Sequence, residues 1–247
     1  MQSPVSLAEI WRHPIKGIGA EPLEQVGLTA GAPMPLDRAW AVLTGTSQDT
    51  GAWQHCRNFA RGCFGPELMA VTAETQGETL TLRHPKREDL TIDPRQDGAR
   101  LIDWLSPLYP AERPQPHSLI QAPAGGMADA ETPAVSIMSL SSLQALSEEL
   151  GQPLDVRRFR GNLWLDGGTP FEEFSWIGQT LKLGALRLKV LDRIARCRAT
   201  EANPDTGERD ADTLKALRSQ WGHTDFGILA EVLDTGELKR GDRLEVL

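Results

Sequence analysis

Two adjacent runs of the chain, Leu181-Lys182-Leu183 and Leu186-Arg187-Leu188-Lys189-Val190, alternate strictly between apolar and charged residues, with Gly184-Ala185 between them. In an extended chain every second side chain points to the same face, so each run presents one apolar and one charged face, as a strand half-buried on a core requires. The glycine between the runs predicts a bend joining an antiparallel pair. The same two-residue period recurs at 38–43, 68–73, 79–82, 226–233 and 243–247, most of them bounded by Gly, Asp or Pro. The fold is therefore expected to be mainly β, in the α+β class, with few helices.

Three stretches break the period and predict those helices. Ile102, Leu105 and Leu108 recur at near-helical spacing. Ser141 with Gln144 forms a capping box ahead of Leu146 and Leu150, closed by Gly151. Leu214, Leu217 and Trp221 form a stripe closed by Gly222. Residues 109–132 are rich in Pro, Gly and Ala and predict a linker or surface loop, with one short strand at 118–121. We place a domain boundary near Arg113, giving domains at 1–113 and 114–247. No repeat of solenoid or propeller period is visible.

Composition narrows the function classes. Asp and Glu outnumber Lys and Arg by 34 to 26, a net charge of −8, which argues against a nucleic-acid surface. The start of the chain lacks a basic, apolar leader, and no run approaches transmembrane length, so a cytoplasmic protein without membrane association is expected. Three cysteines, with no CxxC pair, cannot supply the four thiolates of a usual iron–sulfur cluster, so electrons for any redox step must come from outside. The five histidines are scattered without zinc-site spacing, and Gly17-Ile18-Gly19-Ala20-Glu21-Pro22 fails the dinucleotide-loop pattern.

The segment from Arg193 to Gly207 holds the strongest chemical signal, because Cys197 sits between Arg196 and Arg198. A thiolate is both nucleophile and soft metal ligand, and neighbouring positive charge favours it over the thiol. If 196–198 is extended, Cys197 points away from both arginines, and a structural cysteine is the alternative. Cys56 and Cys63 lack such a setting and read as structural. Glu172-Glu173 is either an acid/base pair or a solvated turn. Asn203-Pro204-Asp205-Thr206-Gly207 reads as a tight turn.

Taken in order, Arg158-Phe159-Arg160-Gly161-Asn162-Leu163, the Arg196-Cys197 stretch, the Asn203–Gly207 turn, Phe226-Gly227 and Gly241-Asp242 resemble a MOSC domain. His13-Pro14-Ile15-Lys16-Gly17 and Leu36-Asp37-Arg38-Ala39-Trp40 resemble the β-rich module that precedes it in one branch, the branch of the mitochondrial amidoxime-reducing component and its bacterial relatives. This resemblance implies a MOSC β-barrel with a few peripheral helices behind a β-rich N-terminal module. It implies a molybdenum cofactor (Mo-molybdopterin), independent of pyridoxal phosphate, with Cys197 as metal ligand and catalytic centre. Arg196 matches the basic residue before that ligand, and Lys16, Arg38, Arg160 and Asn162 match positions that contact the pterin and its phosphate. The implied activity is an oxidoreductase that reduces small N-oxygenated compounds with electrons from an external electron-transfer protein or reductase.

Three positions depart from the family pattern: Gly17 and Ala195 stand where relatives carry Ser, and Phe174 where they carry Asp. Two other functions remain open, a sulfur carrier acting through a Cys197 persulfide and a cofactor-binding protein without turnover. The plain alternatives for the cations are surface ion pairs for Arg38 and Arg160 and a solvated edge charge for Lys16.

Overall fold

The structure is a computed structural model and describes residues 4–247. The chain opens with β1 (Ser6–Arg12), β2 (Glu21–Leu23), β3 (Gln25–Leu28) and β4 (Trp40–Thr44). A meander follows of β5 (Thr72–Gln76), β6 (Thr79–His84) and β7 (Arg87–Ile92), then α1 (Gly98–Leu105) and β8 (Pro116–Gln121). The second half runs through β9 (Val135–Ser139), α2 (Leu140–Leu150), β10 (Leu163–Asp166), β11 (Thr180–Leu183) and β12 (Leu186–Ala195). It ends with α3 (Thr213–Trp221), β13 (Asp225–Val232), β14 (Gly236–Lys239) and β15 (Leu244–Val246). The protein is mainly β, built on one large mixed sheet with three α-helices among the described residues.

The large sheet has the order β15-β11-β12-β13-β9-β10-β1-β2, antiparallel except where β10 runs parallel to β9. Leu7 N–H donates to Asp242 O (2.8 Å) and Leu244 N–H to Val5 O (2.9 Å), and Ser6 bridges Arg243, so the start of β1 meets the chain entering β15. The alternating pair at 181–190 forms β11 and β12 as expected: Leu181, Leu183, Leu186, Leu188 and Val190 point into the core and Arg187 points out. Smaller sheets pair β4 with β8, β3 with β14, and β5 with β6 and β7. The N-terminal segment has its own core, in which Leu101, Trp104 and Leu105 of α1 pack with Leu80, Leu82 and Ile92.

Chain order and spatial order differ around Arg113. β1 pairs with β10 and β3 with β14, so N-terminal strands complete the C-terminal sheet, while β8, beyond residue 113, pairs with β4.

Three local expectations are corrected. The alternation at 68–73 is not one strand: Pro66–Ala70 form a 3-10 turn whose Leu68, Met69 and Ala70 are all buried, and the strand starts only at Thr72. The cap of α2 is Ser139, which accepts from Ser142 N–H at 3.2 Å because β9 runs straight into the helix. Ser141 instead shares a hydrogen bond with Ser139, and Gln144 donates to Glu148. The stripe at 102, 105 and 108 leaves the α-helix after Leu105, where Ser106–Leu108 tighten into a 3-10 turn containing Pro107.

Candidate functional site

One cavity, of about 1070 Å³ including its open mouth, brings together Lys16, Arg38, Arg160, Asn162, Arg196 and Cys197, all six residues singled out from the sequence. Arg61 and Arg158 also line it, so six cationic side chains face two carboxylates, Asp37 and Asp129.

Lys16 reaches the wall through a tight turn after β1, where Ile18 N–H donates to Ile15 O (3.0 Å) and Lys16 N–H to Trp40 O (2.8 Å). Gly17 has φ +73°, and a Cβ there would stand 2.9 Å from Ala60 O. A serine in this backbone would be strained. Lys16 is 3% exposed, donating to Met127 O (2.7 Å) and Asp129 Oδ1 (2.6 Å), so it is no solvated edge charge. Burial lowers its pKa, partly offset by Asp129. Both acceptors lie in the segment expected to be a linker or surface loop. Residues 128–134 instead form part of the cavity wall.

Arg38 and Arg160 both adopt left-handed backbone, at φ +50° and +49°, a conformation costing a non-glycine residue about 1–2 kcal/mol that surrounding contacts must hold. Main-chain acceptors hold both. Arg38 donates to Asp37 and, at 2.7 Å, to Arg160 O, while Arg38 N–H donates to His13 O at 2.7 Å. Arg160 donates to Gly19 O (3.0 Å), Ile15 O (3.2 Å) and Ile18 O (3.4 Å). Arg38 thus has an ion-pair partner, but inside the site rather than at the surface, and Arg160 pairs with no carboxylate among the described residues. Arg196 donates to Phe226 O (2.8 Å from Nε) and Phe159 O (2.8 Å), lies 5.8 Å from the Phe159 ring, and likewise pairs with no carboxylate among the described residues. Protein surrounds both guanidiniums on most sides while one face stays open to the cavity. Burial pushes each down to about 9, with the charge of Arg38 adding to the effect at Arg160. Both remain cations at neutral pH.

Asn162 lines the same wall, but its amide is engaged. Its Oδ1 accepts from Ser136 N–H (3.1 Å) and Oγ–H (2.8 Å), and its Nδ2 donates to Trp11 O (3.2 Å). These bonds tie β1, β9 and β10 together.

Cys197 lies at the cavity mouth, exposed, as the N-cap residue of a 3-10 turn over Arg198–Glu201. Cys197 itself is extended, at φ −112° and ψ 175°, and the turn begins at Arg198; Arg196 and Cys197 nonetheless both line the cavity, while Arg198 leaves to pair with Glu201 at 2.9 Å. A hydrogen bond from the Cys63 thiol pulls the Cys197 pKa down to about 6 against the effect of burial, aided by Ala199 N–H and the charge of Arg61. The same bond and burial push Cys63 well above the usual thiol range. Cys63 is therefore a neighbour of the site, as is Arg61, which lines the cavity and donates to Cys56 Sγ at 2.9 Å. Neither was found from sequence, because the contact joins segments far apart in the chain.

Glu172 and Glu173 lie outside the cavity lining, and Glu173 is not in a solvated turn: it is 1% exposed, with Ser142 Oγ 3.0 and 3.1 Å from its two oxygens. The Asn203–Gly207 turn forms as expected, with Gly207 N–H donating to Asn203 O at 2.8 Å and Asp205 N–H to Asn203 Oδ1 at 2.8 Å.

Comparison with known proteins places this geometry in a family. Residues 5–105 match the MOSC N-terminal beta barrel domain and residues 125–245 the MOSC domain. The mitochondrial amidoxime-reducing component 1 of Homo sapiens is 26% identical, over 88% of this chain and 73% of that protein. The mitochondrial amidoxime reducing component 2 of Bos taurus is 24% identical, over 98% of this chain and 83% of that protein. A molybdenum cofactor sulfurase of Drosophila willistoni is 37% identical over 44% of this chain, but the match spans only 15% of the sulfurase. No helix among the described residues is long and apolar enough to cross a membrane. With both models matched in order and nearly end to end, the chain belongs to the MOSC family.

Proposed function

We propose that the cavity binds a molybdenum cofactor through Lys16, Arg38, Arg160, Arg196 and Cys197, and that the protein is an oxidoreductase acting on small N-oxygenated compounds with an external electron donor. The observation that carries this reading is one exposed thiol beside two enclosed guanidiniums that lack carboxylate partners. Phosphate or another dianionic group would relieve that uncompensated charge, and guanidinium forks suit its oxygens. A soft metal suits the thiol. Among the described residues no group of three or more His, Cys, Asp or Glu side chains is arranged to hold a metal ion, so a metal at Cys197 would have to bring most of its ligands with it, as a pterin dithiolene does. The residues present fit such a cofactor.

Held there, a molybdenum centre supplies the two-electron redox change that removing oxygen from nitrogen requires. The chain's own part is electrostatic and positional. Arg160 and Arg196 present cations without carboxylate partners to the cavity, and Lys16 and Arg38 add two more to its lining. The hydrogen bond from Cys63 holds the Cys197 thiol below the usual thiol range, so ligation needs less proton loss than an ordinary thiol would. Asn162 holds the wall in register. The names of the full-length relatives support the same substrate class.

The test is metal content. Full-length protein purified from a cofactor-competent host is expected to carry close to one molybdenum per chain and to reduce an amidoxime when given a competent electron donor, and Cys197→Ser is expected to lose the activity. Wild-type protein free of molybdenum from such a host overturns the proposal. Bound molybdenum without turnover, given a competent donor, selects a non-catalytic cofactor-binding protein instead.

One observation favours a second reading. The Cys63 thiol contacts Cys197, as suits a cysteine that carries a persulfide, and the sulfurase match points the same way. A reductant-reversible gain of one sulfur atom on Cys197, without metal, would select it.

A further inference from the structure

Cys197 lines the cavity, and the thiol of Cys63, itself outside the lining, lies against it. The loop carrying Arg61, Gly62 and Cys63 packs on the turn that Cys197 begins. A Cβ added to Gly62 would stand 3.4 Å from the Ala199 Cβ, and Arg209 Nη2 donates to Cys63 O at 2.7 Å. Gly207 of the following turn packs on Glu67 just beyond the same loop. The Cys63 thiol, half-buried, hydrogen-bonds Cys197, which is exposed at the mouth. Cys56 is held apart by other partners, Arg61 Nη1 at 2.9 Å and His55 Nδ1 at 3.8 Å.

We propose that Cys197 and Cys63 form an oxidisable pair, in which Cys197 is the thiol attacked by a hydroperoxide and Cys63 the thiol that resolves it to a reversible intramolecular disulfide. The division of labour follows from access: Cys197 is exposed and lines the cavity, whereas Cys63 is only partly exposed and lies outside the lining. In the first step the Cys197 sulfur takes the terminal oxygen of the hydroperoxide, the O–O bond breaks, and the alcohol, or water from hydrogen peroxide, leaves with a proton. Cys197 is then a sulfenic acid. In the second step the Cys63 sulfur attacks that of Cys197, the S–O bond breaks, and water leaves with the Cys63 proton. Two thiols lose two electrons in total and the peroxide gains them.

The disulfide would tie the N-terminal loop to the C-terminal turn and remove from the cavity the sulfur that Proposed function assigns to the metal. That consequence rests on the molybdenum reading, whereas the pair itself does not. Oxidation would close the site, and a cellular dithiol would reopen it.

The test uses the full-length chain isolated without metal and treated with a stoichiometric amount of hydrogen peroxide, followed by alkylation of the remaining thiols. Trypsin places the three cysteines in separate peptides, 39–57, 62–83 and 197–198. The expected product is 62–83 joined to 197–198, with the loss of two hydrogen atoms from the intact mass, reversed by dithiothreitol. Cys56→Ser is expected to form the same link, and Cys63→Ser to gain first one and then further oxygen atoms at Cys197 with no link. Cys63 recovered alkylated beside an over-oxidised Cys197 in the wild type, or 39–57 joined to 62–83, overturns the proposal. A chain that forms the link yet never takes up molybdenum refutes only the cofactor reading, and a loaded chain whose metal-free form makes no link refutes only this one.

Discussion

Glu173 offers a test of the fold's electrostatics that is independent of any activity. The carboxyl is buried behind α2, bonded by Ser142 and by its own backbone N–H but paired with no cation among the described residues, and burial raises its pKa from 4.5 to about 7. An acid raised in the folded state binds its proton more tightly there than in the unfolded chain. Its contribution to stability is thus complete below pH 4.5 and lost as pH rises through about 7, and the gap corresponds to about 3 kcal/mol at the alkaline plateau. Glu173→Gln keeps the shape and an acceptor for Ser142 while removing the titration. The variant is therefore expected to be more stable than wild type above neutral pH, by up to about 3 kcal/mol, and to converge with it in mild acid.

The comparison must be made as a difference, because His13 tilts the wild-type profile the other way. Burial, with the charges of Arg160 and Arg38, pushes His13 down from 6.5 to about 3, so its contribution is complete above pH 6.5 and lost as pH falls toward 3. Subtracting wild-type from variant stability, from urea titrations across this range, cancels the shared His13 term. A difference that does not change with pH, or a wild type more stable than Glu173→Gln above pH 7, refutes the reasoning.

Two further substitutions probe the walls of the cavity. Asn162→Ala strands the Ser136 N–H and the Trp11 carbonyl and is expected to cost about 3 kcal/mol in urea unfolding with an unchanged m-value, whether or not any cofactor is bound. Gly227→Ala places a Cβ against Met138 Sδ and 2.7 Å from Ile137 O at φ +76°, beside the Phe226 carbonyl that anchors Arg196; a loss of more than about 3 kcal/mol, read as a lowered Tm, is expected.

What was legible in the sequence follows from how far each signal reaches. The alternation at 181–190 is local and specifies both face and pairing, so β11 and β12 could be read directly. β9 could not, since all five of its residues are buried at the centre of the sheet and no alternation survives to be read. Lys16, Arg38, Arg160 and Cys197 stood out because each sits in a short motif, and Gly17 beside Lys16 carries the backbone constraint of its turn. Cys63 and Asp129 had no such signal. Each acquires its setting from a partner far along the chain, Cys197 in one case and Lys16 in the other, and a single sequence does not reveal such pairings. The Pro- and Gly-rich composition of 109–132 was read as a linker or surface loop with one short strand, and the strand forms as β8, but such composition does not decide what the rest of the segment covers.

An acidic chain keeps a cationic hollow by choosing how its cations are satisfied. Had Arg160 and Arg196 been paired with carboxylates, their hydrogen bonds and their charge would have been met together, leaving little for a ligand. They donate instead to main-chain carbonyls, whose dipoles accept the N–H groups without cancelling a full charge. Those carbonyls also come from distant segments. Arg160, before β10, bonds the turn after β1; Arg38, before β4, bonds the backbone of Arg160; Lys16 bonds Met127. For Arg160, the bonds that leave its charge facing the cavity are thus also bonds that stitch the two halves of the chain together. An anion drawing on that charge would stabilise the seam as well as itself, and a substitution that neutralises Arg160 would loosen the seam together with the site.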